Sequence, residues 1–507
     1  MSPEDAQDTV ARDIEAGLAR PGVMDEARFA AFLEAQRRWG LTHGERALCR
    51  HLSPFLISEE RYAALARATG EIAGALGRVA ARALVEPTMA AELGLSDAER
   101  ALAAIDPGYP EALALGRFDA LMDGATGGFQ FIELNADSPA GLADQLLVGK
   151  TLMALPHLQA VGGLPQVRTP APHLAILRVL RQVYAAWGGR ATHPTIALVD
   201  WAGADTSAEL RVLGEIFAAA GHPVRIVDPG DLQYDGHCLR ARSQPVDLVY
   251  RRVIVQELLA RGGPDHPLIE AYRDGAVCVA NSFRTKAFNK KAAFAVLSDP
   301  AFADLFTPAQ RAAIEAHVPW TRRVRPGPTA WPGAGAGARG GARPGGVELL
   351  DLLRARQEDF VLKPNDDYGG RGVMLGWNTS PSAWQDALAG WAAAPLIAQA
   401  RSSVGTIRMP TYRPRGSAGA GSGADTDAGA RTRGAIVHED LFFDVCPFVF
   451  AGRMEGAMVR LSSTPVSNVS VGGSVSALLI VGDGERQGAG VADGGAPSPA
   501  QQEWPGV

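Results

Sequence analysis

Cysteine is scarce in this chain of 507 residues, which carries four: Cys49, Cys238, Cys278 and Cys446. No two stand at C-x2-C spacing, which excludes a zinc ribbon, and four scattered thiols in so long a chain do not make a disulfide framework. A reducing compartment is therefore expected. Long apolar runs are lacking too. No stretch reaches the roughly 18 consecutive apolar residues of a spanning helix, and residues 1–20 carry acidic groups without a signal-type apolar run. The expectation is a cytoplasmic protein with no membrane partner. Positive charge is not in excess: 49 Lys and Arg against 55 Asp and Glu give a formal net charge of −6. That excludes a general nucleic-acid binder and leaves room for a local basic pocket. HExxH and G-x-S-x-G are both missing, so a hydrolase reading has no local support.

What is present is an ample apolar complement, 47% of residues, and a length with room for about three domains. Gly (58) and Pro (34) together make up about 18% of the chain, against roughly 12% in average usage. The excess gathers near 327–346, 415–434 and the last two dozen residues. These stretches are too poor in apolar residues to bury themselves and are expected to be unstructured. Residues 1–105 read as helical, with apolar residues at every third or fourth position over 25–39 and 60–85. Residues 117–122 and 129–135 read as two strands of a hairpin, and 142–187 as helix. Over 193–280 strands (195–199, 224–227, 246–250, 277–280) alternate with helix (207–220), which predicts a small parallel sheet. Further on, 360–363, 373–377, 396–399, 442–450 and 456–461 read as strands.

Three segments carry candidate chemistry. In Phe360-Val-Leu-Lys-Pro-Asn-Asp-Asp-Tyr-Gly-Gly-Arg-Gly-Val373 a hydrophobic strand ends in Lys363, and Gly369, Gly370 and Gly372 follow in a turn. Glycines let backbone N–H groups close over an anion, and the lysine adds a fixed positive charge, so the segment reads as a phosphate cradle or as a plain Gly-rich hairpin. In Phe129-Gln-Phe-Ile-Glu-Leu-Asn135, strand periodicity puts Glu133 and Asn135 on one face. A carboxylate and an amide oxygen there suit a hard cation such as Mg2+ shared with phosphate oxygens. Asp119 on the preceding strand could be a third oxygen ligand, and Arg117 points to the same side. In Asn289-Lys-Lys-Ala292, lysines opening a helix oppose its dipole unless an anion is present, so Lys290 or Lys291 is a candidate phosphate contact, or the turn is simply solvated. Gly149-Lys150-Thr151 is not a P-loop, because Asp144 stands where its first glycine belongs and no strand precedes it. His43 and His51 lack a third ligand.

Together these pieces resemble the circularly permuted ATP-grasp family, as in the synthetase part of glutathionylspermidine synthetase. The matching stretches are RFD (117–119), FIELNADSPAG (131–141), NKKAAFAVLSD (289–299), FVLKPNDDYGGRGV (360–373) and GAMVRLSSTPVSNVSVGGS (456–474), and the metal-type E-x-N precedes the phosphate lysines, as in the permuted family. The resemblance implies an α/β (α+β) permuted ATP-grasp fold. Its parts would be an N-terminal helical region (1–110), an ATP-grasp segment with the E-x-N (111–192), a Rossmann-like pre-ATP-grasp unit (193–280), a nucleotide-binding segment (281–480) and a tail (481–507).

It further implies ATP and Mg2+ as cofactors, with Asp119, Glu133 and Asn135 on the metal. Lys363 and Lys291 would hold phosphates, with Lys290 as the alternative to Lys291. Gly369, Gly370 and Gly372 would lie in the closing loop. Arg117 would stabilise the reacting acyl centre, Arg460 would lie near the substrate, and Gln399 would sit near the adenine ring on a hinge strand. The implied reaction joins a small-molecule carboxylate to an amine (an amino acid, peptide or polyamine) through an acyl phosphate, releasing ADP and phosphate. The alternative is an ATP-binding scaffold that acts only with a partner, its N-terminal helices serving as an interaction module. A homodimer is compatible with the chain. No residues for thiol or polyamine recognition are identifiable, and residues 1–105 match nothing in the family.

Overall fold

The computed structural model describes residues 3–124, 127–204, 206–331, 346–415, 434–465 and 472–482. The chain is mixed α/β, with helices packed around several sheets.

The central sheet is antiparallel. Its order is Ser474–Ser476, Arg453–Ser462, Ala435–Phe450, Leu115–Met122, Phe129–Asn135, and Thr406–Arg413 pairs with the first half of the long strand Ala435–Phe450. Successive side chains point to opposite faces, and the middle strands are buried at most positions, so the sheet is covered on both sides. Phe118, Ala120, Phe131, Val445 and Val459 meet the long helix Glu59–Val85, which turns Leu65, Ile72, Leu76 and Val79 inward. That helix starts at Ser58, whose hydroxyl accepts from the Arg61 amide. On the opposite face Phe448, Phe450 and Met458 meet the helices Leu142–Met153 and Pro172–Trp187. Ala451-Gly452, both at positive φ, make the tight turn between the two longest strands. Thr406–Arg413 was not legible as a strand because Pro410 interrupts it. Proline is tolerated there because only one full strand pairs with it; on the other edge it meets residues 51–52, where the Pro410 carbonyl accepts from the Leu52 amide at 2.8 Å.

Residues 196–280 form a four-stranded parallel sheet in the order Cys278–Ala280, Leu248–Arg251, Ile196–Val199, Val224–Val227. The first three are buried along their length, as near-continuous apolar strands covered by helices on both faces must be. A second, smaller antiparallel sheet runs Thr321–Arg323, Leu396–Ala400, Phe360–Pro364, Met374–Leu375. One of its faces packs Phe360, Leu362 and Ala398 under Trp384 and Leu353. The other carries Lys363, Gln399 and Thr321 toward the central sheet's Phe129–Asn135 strand.

Several expectations need correction. The N-terminal region is not wholly helical: Phe55–Ser58 pairs in parallel with Leu478–Val481, a partner more than four hundred residues away that local pattern cannot reveal. The Asn289-Lys-Lys segment does not open one helix. A short helix ends at Asn289, another begins at Ala292, and the two lysines stand in the break. Of the stretch 373–377 only Met374–Leu375 pairs as strand. The expected unstructured segments fall mostly outside the described residues, at 332–345, 416–433 and 483–507, as do 466–471 of the 456–474 match. Their flanks are ordered: Pro328–Thr329 pairs with Val347–Glu348, and Val481 is strand. Lys150 and Thr151 lie within the helix Leu142–Met153, and His51 is buried against the Ser474 hydroxyl at 2.9 Å.

Candidate active site

The site grows from the hairpin Leu115–Met122/Phe129–Asn135. Arg117 stands opposite Asn135 and Asp119 opposite Glu133. Register then slips, so that Ala120 faces Phe131 and Ile132 is left unpaired. This bulge frees the Ile132 carbonyl, which accepts from the Lys363 ammonium at 3.3 Å and the Gln399 amide at 3.4 Å. The bulge therefore joins the central sheet to the smaller one beside the candidate site residues.

Asp119 is the hub of one half. Its Oδ1 accepts from Arg117 Nε at 3.1 Å and Asn135 Nδ2 at 3.2 Å, and its Oδ2 accepts from Arg460 at 2.8 Å. Arg460 also grips Asp444 at 2.5 Å, and Arg117 donates to the Ala140 carbonyl at 2.8 Å. Burial alone would raise the Asp119 pKa, but the two guanidinium groups more than offset it and hold the carboxyl below the usual range. Asp444 shows the reverse balance: burial wins over Arg460 and raises it. Glu133 stands directly across the hairpin from Asp119, and its carboxyl lies 3.5 Å from Lys291 Nζ. Among the described residues the Asn135 side-chain oxygen accepts no hydrogen bond, because its amide nitrogen makes both contacts, to Asp119 and to the Arg117 carbonyl.

Lys363 is the hub of the other half. It is 6% exposed, and its ammonium donates to Gln399 Oε1 at 2.7 Å. Burial pulls its pKa down to about 8, with Lys291 adding to the shift and Glu133 opposing it. The two candidate lysines part company at the break between the two helices. Lys290 is extended and turns into a buried cluster with Glu99 at 3.0 Å and Asp366 at 2.6 Å, while the next residue, Lys291, is helical and turns toward Glu133 and the Asp367 carbonyl at 2.5 Å. Gln399 lies on the strand Leu396–Ala400, next to the strand that carries Lys363. Its side chain is 3% exposed and is taken up by Lys363, Thr321 Oγ1 and Ile132, so it orients the lysine.

The glycine loop leaves the strand Phe360–Pro364 and is exposed from Tyr368 to Gly372. Gly369, Gly370 and Gly372 all have positive φ, and a Cβ at Gly372 would stand 2.7 Å from Pro364 Cγ. Only glycine fits there. At the loop's tip the Tyr368 hydroxyl donates to Glu257 at 2.9 Å, on the helix Val255–Gly262 of the parallel-sheet unit.

The sequence reading missed the residues that hold the segment after the E-x-N. Asn289 Oδ1 accepts from the Ala136 and Asp137 amides, Asn281 donates to the Ala136 carbonyl, and Arg251 pairs with Asp137 at 2.7 Å. Glu209 accepts from the Leu142 amide at 2.8 Å and pairs with Arg252 at 3.2 Å. No spacing signal marks these residues, which come from distant parts of the chain. Cavities of about 500 Å3 beside the helix Pro172–Trp187 and about 220 Å3 beside Arg322 and Arg325 lie elsewhere.

The oxygen set fits a divalent cation of the Mg2+ type. Mg2+ is usually held by one or two carboxylates plus water and phosphate oxygens. Glu133 supplies a carboxylate and Asn135 an uncommitted oxygen, while Asp119 stands beside them with both oxygens accepting from Arg117, Asn135 and Arg460. Among the described residues no three His, Cys, Asp or Glu side chains form a metal cluster of their own, and no helix is long and apolar enough to cross a membrane.

No protein-family model and no curated protein sequence matches this chain. Among solved structures it is similar to a glutathione synthetase-like effector from Globodera pallida in its apo form, with a TM-score of 0.50 and 13% identity over 91% of this chain and 99% of that one. At that identity the likeness is one of fold.

Proposed function

We propose that this chain is an ATP-dependent carboxylate–amine ligase of the circularly permuted ATP-grasp type, forming an amide through an acyl phosphate with release of ADP and phosphate. The observation that carries the reading is Lys291 at 3.5 Å from Glu133, with Lys363 on the carbonyl of the preceding residue, Ile132, Asp119 across the hairpin, and the glycine loop leaving the strand that carries Lys363. Two cations opposite an oxygen-ligand set is what a metal–nucleotide complex requires. The likeness in fold to a glutathione synthetase-like protein supports the same class.

Lys363 and Lys291 would contact phosphate oxygens, and a phosphate beside Lys363 would restore the charge that burial weakens. Glu133 and Asn135, with Asp119 as third donor, would hold Mg2+, which when bound neutralises charge developing in phosphoryl transfer. Residues 364–372 would cover the phosphates and exclude water from an acyl phosphate. Arg117 and Arg460, already oriented by Asp119 and Asp444, would face the acyl centre and stabilise its oxyanion as an amine attacks. No protein nucleophile enters the scheme.

The test is Mg2+-dependent release of ADP and phosphate from ATP with pooled amino acids, short peptides and polyamines, using Lys363→Ala as control. Release that needs a carboxylate and an amine together, and is lost in the variant, supports the ligase. Tight ATP binding with no turnover from any pool would favour a partner-dependent scaffold instead.

A further inference from the structure

The root of the glycine loop is not held by its own strand alone. The Asp366 carboxylate accepts from Lys286 on one oxygen and Lys290 on the other, both at 2.6 Å. Both lysines are also paired with Glu99, at 3.5 and 3.0 Å. Asn365, one residue earlier, donates to the Leu93 carbonyl at 2.9 Å and accepts from the Ala292 amide at 2.8 Å. Leu93 ends the helix Pro87–Leu93, and Glu99 sits in the first turn of the helix Asp97–Ala104. Both belong to the N-terminal region that matches nothing in the family pattern. The fit between Asn365 and this region is close. A Cβ at Gly94, where φ is +72°, would stand 2.8 Å from the Asn365 amide nitrogen.

The charge arrangement is directional. Lys286 is fully buried, Lys290 is 4% exposed and Glu99 5%, while the Asp366 side chain is 21% exposed. The two buried ammonium groups face one buried carboxylate from the N-terminal helices and one from the loop; Asp137 also acts on Lys286, but it is itself paired with Arg251 at 2.7 Å. Asp366 cannot swing away without leaving a buried cation uncompensated, which is strongly unfavourable. Glu99 also closes the capping box of its own helix, accepting from the Ser96 amide at 2.9 Å. Its charge is thus fixed in place by the helix start.

We infer that the N-terminal helical region serves as a positioning element for the glycine loop, with Glu99 and Asp366 as positioning residues acting through Lys286 and Lys290. It sets the height of residues 367–372 above Lys291 and Lys363. The functional half of this statement rests on the nucleotide-site reading; the tether itself does not.

The experiment uses the full chain and two variants. Glu99→Gln keeps the capping box, which glutamine also satisfies, and removes the charge. Asp366→Asn removes the charge at the exposed end, and decides the matter if the first variant does not fold. In limited trypsin digestion without nucleotide, cleavage after Arg371 is expected to rise about tenfold in both variants, because the loop now opens locally, while cleavage at other exposed arginines is unchanged. In steady-state assays the KM for ATP is expected to rise about tenfold in both variants, and in Glu99→Gln, which lies outside the loop, kcat stays within about threefold, a split that a merely structural role would not produce. Unchanged cleavage after Arg371 in both folded variants overturns the tether. Faster cleavage with unchanged KM overturns the positioning role. The digestion needs no nucleotide, so it decides the tether even where the ligase reading fails.

Discussion

The Lys363 ammonium is held 2.7 Å from the Gln399 side-chain oxygen, and the Gln399 nitrogen is in turn held 3.1 Å from Thr321 Oγ1. A lysine on one strand is thus aimed by a neutral amide on the adjacent strand, itself anchored to a third. A neutral partner orients the ammonium without cancelling the charge that a phosphate would meet.

Gln399→Ala is expected to preserve the fold and to weaken ATP binding about tenfold or more, since hydrogen bonds to charged groups contribute roughly 1.5–3 kcal/mol. Isothermal titration with ATP and Mg2+ measures this. Binding equal to that of the unaltered protein would show that Lys363 is aimed by the backbone alone.

Lys363 gives a pH dependence of definite sign. Its pKa is lowered to about 8 in the folded protein from an ordinary 10.5. Above pH 8 the free protein loses this charge, so ATP affinity is expected to fall as pH rises through 8, by at most about tenfold per pH unit. Between about pH 8 and 10.5 the unfolded chain binds the extra proton, so this group's contribution to stability increases with pH there. Affinity measured from pH 7 to 9.5 should bend near 8, and Lys363→Arg should remove the bend.

The two neighbouring lysines are expected to fail differently. Lys291→Met should lower ATP turnover by about 10²–10³ with little change in stability, as loss of a transition-state contact does. Lys290→Met should cost stability, because breaking a buried ion pair typically removes about 3–5 kcal/mol. Urea denaturation beside turnover assays separates them, and a reversed pattern would mean that Lys290 is the phosphate contact.

Asp144 offers a stability test away from the phosphates. Burial, then the nearby Glu209 carboxylate, raise its pKa to about 7 from 3.8, with Arg252 opposing. The folded state therefore binds the extra proton between about pH 4 and 7, and the group's contribution to stability is lost as pH rises across that window. Asp144→Asn should flatten this part of the stability profile. Thermal midpoints at pH 5 and 7.5 check it, and parallel profiles for the two proteins would refute it.

Much of this molecule was legible without coordinates. The hairpin carrying Asp119, Glu133 and Asn135, the apolar strands of the parallel sheet, and the strand ending at Lys363 all announce themselves by period, turn residues and run length. Those signals are local, because they reflect which side chains a strand or helix buries within a few residues. The tertiary structure alone decided the rest. It showed that Asp119 lies between two guanidinium groups, that Ile132 bulges to offer its carbonyl, and that Lys290 turns away while Lys291 turns in. It also showed that Gln399 serves Lys363, and that Phe55–Ser58 is a strand. Each of these depends on a partner far along the chain, and charge pairing and strand pairing act through space, where sequence separation does not enter.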